Sequence, residues 1–146
     1  MTAISHKGLK FFLNKYRPRV KGSVADYGGG MDAARGVEKI LFRFDIDDCS
    51  GLDYKTGYDL MKKIKGKKYD VGICMDLLEH VSNPFIVAHN ISASLKKGAL
   101  LFVTAPFVWS FHEYPKDYFR FTPDGLKYLE NVMVIIDNCL LLIKIW

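Results

Sequence analysis

A short strand that runs directly into three consecutive glycines constrains the fold of this chain more than any other feature. Residues 22–27 read Gly-Ser-Val-Ala-Asp-Tyr, and Gly28, Gly29 and Gly30 follow them without a break. Glycine has no Cβ atom, so it reaches positive φ angles and lets a bound molecule approach the backbone closely. The pattern therefore predicts a strand, a tight turn and a ligand-binding site at that turn.

The rest of the chain alternates predicted helices with predicted strands. Helical spacing and start signals predict helices over residues 5–16, 31–38, 58–65 and 85–95, and a last one from Thr122, its N-cap, to about Glu130. Apolar runs predict strands over residues 40–46, 69–75 and 99–105. Such alternation, with strands apolar on both faces, is typical of a parallel sheet covered by helices. We expect one domain over residues 1–146 with an α/β fold, a Rossmann-like open, mainly parallel sheet with helices on both faces.

Acidic residues stand where the predicted strands end. Asp26 precedes the glycines, Asp76 follows the strand 69–75, and Asp45 and Asp47 stand at the expected end of the strand 40–46. Open α/β sheets bind ligands in the crevice outside the carboxyl ends of their strands. An acid at the end of the second strand can accept hydrogen bonds from ribose hydroxyls, and Asp45 and Asp47 occupy that predicted strand end. Asp47 and Asp48 can equally be solvated turn residues.

Three segments of the chain resemble motifs of class I S-adenosylmethionine (SAM)-dependent methyltransferases of the methyltransferase type 11 kind. Residues 26–30 (DYGGG) resemble the first motif, residues 69–84 (YDVGICMDLLEHVSNP) the fourth-strand motif, and residues 95–101 (LKKGALL) the turn into the fifth strand. Nicotinamide and flavin proteins carry G-x-G-x-x-G instead, whereas here the third glycine follows directly. The resemblance implies SAM as cofactor and S-adenosylhomocysteine (SAH) as product.

The resemblance also implies a role for each matching residue. The implied cofactor site comprises Asp26, Gly28, Gly29 and Gly30 around the methionine part, Asp45 or Asp47 at the ribose, Asp59 at the adenine amino group, and Asp76, Leu77 and His80 beside the methionine and adenosine moieties. Glu79 and His80 can instead be polar groups at the start of a helix.

Residues 106–123 (PFVWSFHEYPKDYFRFTP) mix aromatic rings with a few charged groups, which is typical of a pocket wall. They also resemble a segment of a methyltransferase subgroup linked to surface glycans and small metabolites. This implies an acceptor oxygen or nitrogen on a small molecule, such as a sugar or glycan precursor. His112 is the candidate base, and Asp117, Tyr118 or Arg120 would orient it or the substrate. Alternatively, Asp117 and Arg120 simply pair with each other, three residues apart.

The chain departs from the family at two places. Residues 47–69 leave little room for the usual second helix and third strand, and only residues 131–146 follow Glu130. Residues 132–136 and 140–145 are compatible with one or two strands. We therefore expect a sheet shortened at the C-terminus, with an edge that a homodimer could cover. The alternative function is a catalytically degenerate SAM- or SAH-binding or scaffold domain.

Composition narrows the class of partner. The net charge of +5 comes from basic residues concentrated in segments 7–21 and 62–68, which suit either an anionic partner or solvated surfaces. No N/D-P-P-Y motif follows the predicted strand 69–75, which argues against nucleic acid. The three cysteines are widely spaced with no CxxC pair, so we expect no metal, no disulfide framework and a cytoplasmic location. We expect no signal peptide and no membrane span.

Overall fold

The computed structural model describes residues 3–29, 37, 39–53, 57–112, 116–137 and 140–145. The helices of this described part are α1 (Ala3–Lys15), α2 (Pro84–Ala93) and α3 (Pro123–Asp137), and Arg17–Arg19 and Leu78–His80 form short 3₁₀ turns. The strands are β1 (Lys21–Tyr27), β2 (Asp45–Leu52), β3 (Tyr69–Met75), β4 (Leu95–Ala105) and β5 (Leu140–Ile145). The predicted helix over 31–38 lies almost entirely outside the described residues.

The five strands form one sheet in the order β2-β1-β3-β4-β5, and every neighbouring pair is parallel. The chain moves from β1 outward to β2 and then crosses to β3 on the other side of β1. Adjacent connections that leave a sheet in opposite directions create a crevice at the carboxyl ends of the strands. The predicted parallel α/β sheet is confirmed, and its switch point lies beside the glycine turn.

Apolar side chains cover both faces of the sheet. Ile91 of α2 and Leu126 of α3 pack in one buried cluster with Leu101 of β4. Leu13 of α1 packs in a second buried cluster with Phe102 of β4. Neighbouring residues of β4 thus enter different clusters, because successive side chains of a strand point to opposite faces. The prediction of helices on both faces is confirmed.

The predicted strand over 40–46 is wrong, since residues 39–41 are helical and β2 begins at Asp45. A short apolar run does not distinguish a helix from a strand, and here Leu41 is buried against the α1 side of the sheet. Asp45 pairs with Lys21, so it stands at the amino end of both strands. Asp47 is an extra residue in the register, because Gly22 pairs with Ile46 and Ser23 with Asp48.

The helix predicted over residues 58–65 is also wrong. Residues 57–68 form turns and irregular chain, with the Lys62 amide donating to the Asp59 carbonyl (2.8 Å). Gly57 and Gly66, which border this segment, both have positive φ. Among the side chains of this stretch, Leu60 is buried, and Met61 and Ile64 are partly buried against the same cluster. These apolar side chains thus reach the cluster from turns and irregular chain rather than from a helix.

The C-terminal part contains a longer helix than predicted. Residues 132–136, considered as a strand, belong to α3, whereas residues 140–145 do form β5. Thr122 caps α3 as predicted, because its Oγ1 accepts from the Gly125 amide at 3.0 Å. β5 is parallel to β4, and a parallel strand requires a crossover of a dozen or more residues. The helix must therefore extend far enough to return the chain to the opposite end of the sheet.

Candidate functional site

The glycine turn lies where β1, β2 and β3 end. The Gly28 amide donates to the Leu52 carbonyl at 3.0 Å, which ties the turn to the end of β2. Gly28 has φ of +79°, a conformation that residues with a side chain rarely adopt. The sequence predicted this turn, and the structure places it at the carboxyl edge of the sheet.

A Cβ atom on either of the two described glycines of the turn would meet a neighbouring side chain, which would have to shift. A Cβ atom on Gly28 would lie 2.8 Å from Leu77 Cδ1, and one on Gly29 would lie 2.0 Å from Asp26 Oδ2. The turn also reaches β2, since a Cβ on Gly51 would lie 2.8 Å from the Gly29 carbonyl oxygen. The backbone thus forms a narrow cradle over the Asp26 carboxylate. Gly30 lies outside the described residues.

Acidic side chains line this edge. Asp26 at the end of β1 is 1% exposed, and Asp53, directly after β2, is 3% exposed. Asp76 follows β3 and has φ of +50°, the one positive φ among the described residues other than glycine. Thr104 holds this conformation, because its hydroxyl donates to Asp76 Oδ1 (2.9 Å) and its carbonyl accepts from the Asp76 amide (3.1 Å). Strained backbone that is held by its surroundings is typical of ligand sites.

The acid at the carboxyl end of β2 is Asp53, which the sequence reasoning missed. Asp45 and Asp47 lie near the other end of β2, roughly 20 Å away at the rise of a strand. Asp45 instead lines an open cavity there with Arg17, Lys21 and Arg43. With the observed bounds of β2, the strand-end argument leads to Asp53 rather than to Asp45 or Asp47.

Asp59 stands in the irregular segment after β2. Its carboxylate accepts from the Met61 amide (3.0 Å) and pairs with Lys62 (3.2 Å), and half of its side chain is exposed. These contacts stabilise the local turn. Within the described residues these contacts pair Asp59 with its own turn, not with Gly28 or Gly29.

A second group of predicted residues meets beside the turn Leu78–His80, which follows Asp76. The Glu79 carbonyl accepts from the amides of Tyr118 (2.7 Å) and Phe119 (3.2 Å). The Phe121 amide donates to the Pro106 carbonyl at 3.2 Å. The first two bonds hold the C-terminal end of segment 106–121 beside the turn that follows β3, and the third joins the two ends of the segment at the end of β4. The structure thus brings the predicted catalytic residues close to His80.

Asp117 and Arg120 form a two-pronged ion pair, in which Arg120 Nη2 lies 2.6 Å from Asp117 Oδ2 and Nη1 bonds to Oδ1. Arg120 also donates to the carbonyls of Trp109, Ser110 and Phe119. The Asp117 carboxylate accepts from the His112 amide at 3.1 Å. The Arg120 guanidinium holds the pKa of Asp117 well below its ordinary value. The pair therefore positions the segment, as the structural alternative predicted.

His80 and His112 face each other across this segment, with their Nε2 atoms 3.3 Å apart and their rings at 89°. The His80 Nδ1 lies 2.8 Å from the Lys116 carbonyl oxygen. The His112 Nδ1 lies 3.3 Å from both the Ser110 carbonyl oxygen and Asp117 Oδ2. Both nitrogens of His80 are thus engaged with residues of segment 106–121 rather than with the glycine turn.

Glu79 is the most unusual ionisable group of the site. It is 1% exposed, and no donor among the described residues reaches its Oε2 atom. Burial, reinforced by the neighbouring Asp76 and opposed by Arg120, raises the pKa of Glu79 to about 8. The carboxyl group is therefore largely protonated at neutral pH. From the sequence Glu79 is part of the fourth-strand motif or a polar group at the start of a helix, and neither reading predicts its burial.

Several aromatic rings of segment 106–121 remain exposed: Phe107, Trp109, Phe111, Tyr118 and Phe119. Within the described residues, no three or more His, Cys, Asp or Glu side chains are arranged to hold a metal ion. No helix of the described part is long and apolar enough to cross a membrane. The edge of the sheet thus combines buried acids with an exposed aromatic surface.

Solved structures share this fold. The chain is similar to the cyclase SpnF, with a TM-score of 0.61 and 15% identity over 86% of this chain and 58% of that one. It is similar to CalS10, an amino pentose methyltransferase from Micromonospora echinaspora solved with bound SAM, with a TM-score of 0.54 and 18% identity. That likeness covers 80% of this chain and 52% of CalS10. A SAM-dependent methyltransferase from Archaeoglobus fulgidus gives a TM-score of 0.54 and 16% identity over 88% of this chain and 68% of that one.

These likenesses show that the chain has the fold of SAM-dependent methyltransferases, as its motifs predicted. The cyclase has the same fold, so the fold by itself does not specify the reaction. The chain spans 58% and 52% of the lengths of SpnF and CalS10. No protein-family model and no curated protein matches the sequence.

Proposed function

We propose that this chain binds SAM at the carboxyl ends of β1, β2 and β3 and transfers its methyl group to a small-molecule acceptor. The observation that carries the proposal is the glycine turn, in which Gly28 and Gly29 pack without Cβ atoms against Leu77 and the buried Asp26, and so hold that carboxylate at the end of β1. Glycines in a turn also let a ligand approach the backbone closely. The turn lies at the switch point of the sheet, where α/β folds bind their ligands.

The charge of the edge suits SAM, which carries a cationic sulfonium and an ammonium group. Asp26, Asp53 and Asp76 bring three carboxyl groups to the ends of three adjacent strands. Clustered acids repel one another, and a bound cation relieves that repulsion. We assign Asp26 and the glycines, including Gly30, to the methionine part, and Asp76 and Leu77 to the region between methionine and adenosine.

The ribose hydroxyls need an acceptor at the end of β2, and we assign this role to Asp53. The register places Leu52 opposite Tyr27, so Asp53 stands beside the start of the glycine turn. Asp45 and Asp47 lie at the opposite end of β2 and are not retained in the proposed site. Asp59 stays a candidate for the adenine amino group, provided that the carboxylate leaves Lys62 when the cofactor binds.

SAM supplies an electrophilic methyl group, and the protein contributes by positioning the acceptor in line with the sulfur. Positioning alone can lower a barrier by several kcal/mol. The exposed rings of segment 106–121 border the site and provide a surface on which a small molecule can pack. Asp117 and Arg120 keep that segment in place, and His112 is the candidate base for an oxygen or nitrogen acceptor.

Calorimetric titration with SAH tests cofactor binding. We expect micromolar affinity, about −8 kcal/mol, for the unmodified protein. Asp53→Asn should weaken binding at least about tenfold, because the loss of a charged hydrogen-bond partner costs about 1.5–3 kcal/mol. Asp45→Asn is the matched control on the same strand and should bind as the unmodified protein does. Absence of heat from a folded sample, or equal effects of both substitutions, would contradict the proposed site.

A second candidate function is a domain that binds SAM or SAH without methyl transfer. The similarity to a cyclase supports this second candidate, because proteins with this fold also catalyse a different reaction. Incubation with methyl-labelled SAM and a panel of small hydroxylated and amino compounds separates the two functions. Binding of SAH with no labelled product from any acceptor would favour the second function.

Light scattering on the same sample tests the proposed homodimer, which would have twice the mass of the chain.

A further inference from the structure

The hydrogen bonds of the two facing histidines fix where their protons reside. The Lys116 carbonyl oxygen, 2.8 Å from His80 Nδ1, can only accept, so this nitrogen carries a hydrogen. His112 Nδ1 lies 3.3 Å from the Ser110 carbonyl oxygen, which also only accepts, and the ionised Asp117 carboxylate is 3.3 Å from the same nitrogen. Each ring therefore donates through Nδ1, and the Nε2 of each neutral ring is an acceptor.

The two Nε2 atoms consequently compete for one proton. At 3.3 Å they are within hydrogen-bonding distance, yet two neutral rings would bring two lone pairs together. One additional proton between them satisfies both nitrogens, and a second one would place two cations in contact. The geometry is thus compatible with a pair that gains and loses a single proton.

The surroundings balance the charge of such a pair. Asp117 faces His112 and is ionised, so it supplies the negative charge. Glu79 Oε1 lies 3.9 Å from His80 Nε2, but this buried carboxyl group is largely protonated at neutral pH and adds no negative charge. Arg120, which is paired with Asp117, carries a positive charge of its own that disfavours a positive charge on the histidine pair. His80 has a side chain that is 12% exposed, and burial lowers its pKa. His112 is the more accessible ring, with 35% of its side chain exposed.

We propose that His80 and His112 act as one base that accepts the proton of the methyl acceptor. The proposal rests on the proposed function for the identity of the proton donor. Before reaction the pair is neutral, and each ring keeps its hydrogen on Nδ1. As the acceptor's lone pair forms a bond to the methyl carbon, the bond from that carbon to sulfur breaks and its electrons stay on sulfur. The acceptor's proton passes to His112 Nε2 and is shared with His80 Nε2.

Long-range ¹H–¹⁵N correlation spectra of the ligand-free protein, labelled on histidine nitrogen, test the pair without any acceptor. We expect both rings to keep hydrogen on Nδ1 across the titration and to report the same midpoint, since they share one proton. His89, which is exposed on α2, serves as an internal control. In His112→Gln the signal of His80 should lose the shared midpoint. Two independent midpoints, or hydrogen on Nε2 of both neutral rings, would overturn the proposal.

Methyl transfer by His112→Gln provides a second readout once an acceptor is identified. Loss of a general base lowers the rate by about 10²–10⁴-fold. SAH affinity should stay within about threefold of the unmodified protein, because His112 lies outside the proposed cofactor residues. An unchanged rate would overturn the role as base. If the unmodified protein does not bind SAH, the proposed function is contradicted. The spectra of the ligand-free protein still decide whether the two histidines share one proton.

Discussion

At the scale of single residues, the candidate site depends on groups that would be unfavourable elsewhere in the fold. Gly28 has a positive φ next to Leu77, Asp76 has a positive φ without being glycine, and Glu79 is a buried acid. Each of these features costs free energy that the surrounding contacts must offset. Their concentration at the ends of β1 and β3 is the residue-level sign of a functional site.

The cost of the glycine turn can be separated into its parts with two alanine substitutions. Gly57 has φ of +83° and open space where a Cβ would lie, so Gly57→Ala should lower the free energy of unfolding by about 1 kcal/mol from backbone conformation alone. Gly28 has nearly the same φ, but a Cβ there would also lie 2.8 Å from Leu77 Cδ1. We therefore expect Gly28→Ala to lower the free energy of unfolding by roughly a further 1–3 kcal/mol, the cost of overpacking. Urea unfolding of both variants measures the difference, and equal costs would show that Leu77 moves aside freely.

Glu79 should make stability depend on pH. Its pKa is about 8 in the folded protein against an ordinary value of 4.5, so the folded state holds a proton that the unfolded state has released between these values. The free energy of unfolding contributed by this group therefore falls as the pH rises from about 4.5 to about 8.

Glu79→Gln removes the titration and nearly preserves the shape of the side chain. The two proteins should be similarly stable at pH 5, and the variant should gain on the order of 3 kcal/mol relative to the unmodified protein by pH 8.5. Chemical denaturation at both pH values gives the free energy of unfolding of each protein. The difference between the two proteins, compared between the two pH values, cancels the contributions of the other titrating groups. A difference that does not change with pH would show that Glu79 stays ionised in the fold.

At the scale of elements, the described parts of segment 106–121 (residues 106–112 and 116–121) are held in place without a helix or a strand. Their position depends on the Asp117–Arg120 pair, on the bonds of Arg120 to three carbonyls, and on the Glu79 carbonyl. The segment connects β4 to α3, so it crosses the edge at which the strands end. A loop held in this way can present aromatic rings to a ligand while its backbone stays in place.

Removal of one partner of this ion pair should loosen the segment more than removal of both. Arg120→Met would leave the buried Asp117 carboxylate without its cation, which costs about 2 kcal/mol or more. We expect faster hydrogen exchange at the amides of Tyr118 and Phe119, which bond to the Glu79 carbonyl. The double variant Asp117→Asn, Arg120→Met should recover part of the loss. Exchange rates unchanged by Arg120→Met would mean that the aromatic contacts alone position the segment.

At the scale of the whole molecule, one parallel sheet joins two apolar clusters. Ile73 of β3 belongs to the cluster on the α1 side, and Ile91 of α2 belongs to the opposite one. β3 and β4 contribute side chains to both clusters. Loss of packing on either face therefore weakens the same sheet, and the described elements should unfold together.

Two conservative substitutions test that expectation. Ile73→Val and Ile91→Val each remove one buried methylene-sized group and should cost about 0.5–1.5 kcal/mol. Because they lie in different clusters, the double variant should lose the sum of the two values within about 0.5 kcal/mol. Thermal unfolding followed by near- and far-ultraviolet circular dichroism should show one transition in every variant. A separate early transition in one variant would show that the two faces unfold independently.

Some parts of this fold could be predicted because their signals are local. The strand Tyr69–Met75 is a continuous apolar run and was predicted to the residue, and the Thr122 cap was identified from the Thr-Pro pair that starts α3. Other parts could not, because short mixed segments suit more than one structure. Residues 40–46 were predicted as a strand and are largely not one, and this error moved the expected ribose acid from Asp53 to Asp45.

The sequence by itself determined the parallel α/β sheet, the glycine turn at its carboxyl edge and the methyltransferase-like order of motifs, since each is encoded by residues adjacent along the chain. Only the tertiary structure decided which acid ends β2, and only it brought His80 against His112, thirty-two residues further on. It also showed that Asp117 and Arg120 bind each other, and that Glu79 is buried. These properties depend on strand register and on the path of a loop across the sheet. No local pattern specifies them, because the contacts that fix them join residues far apart in sequence.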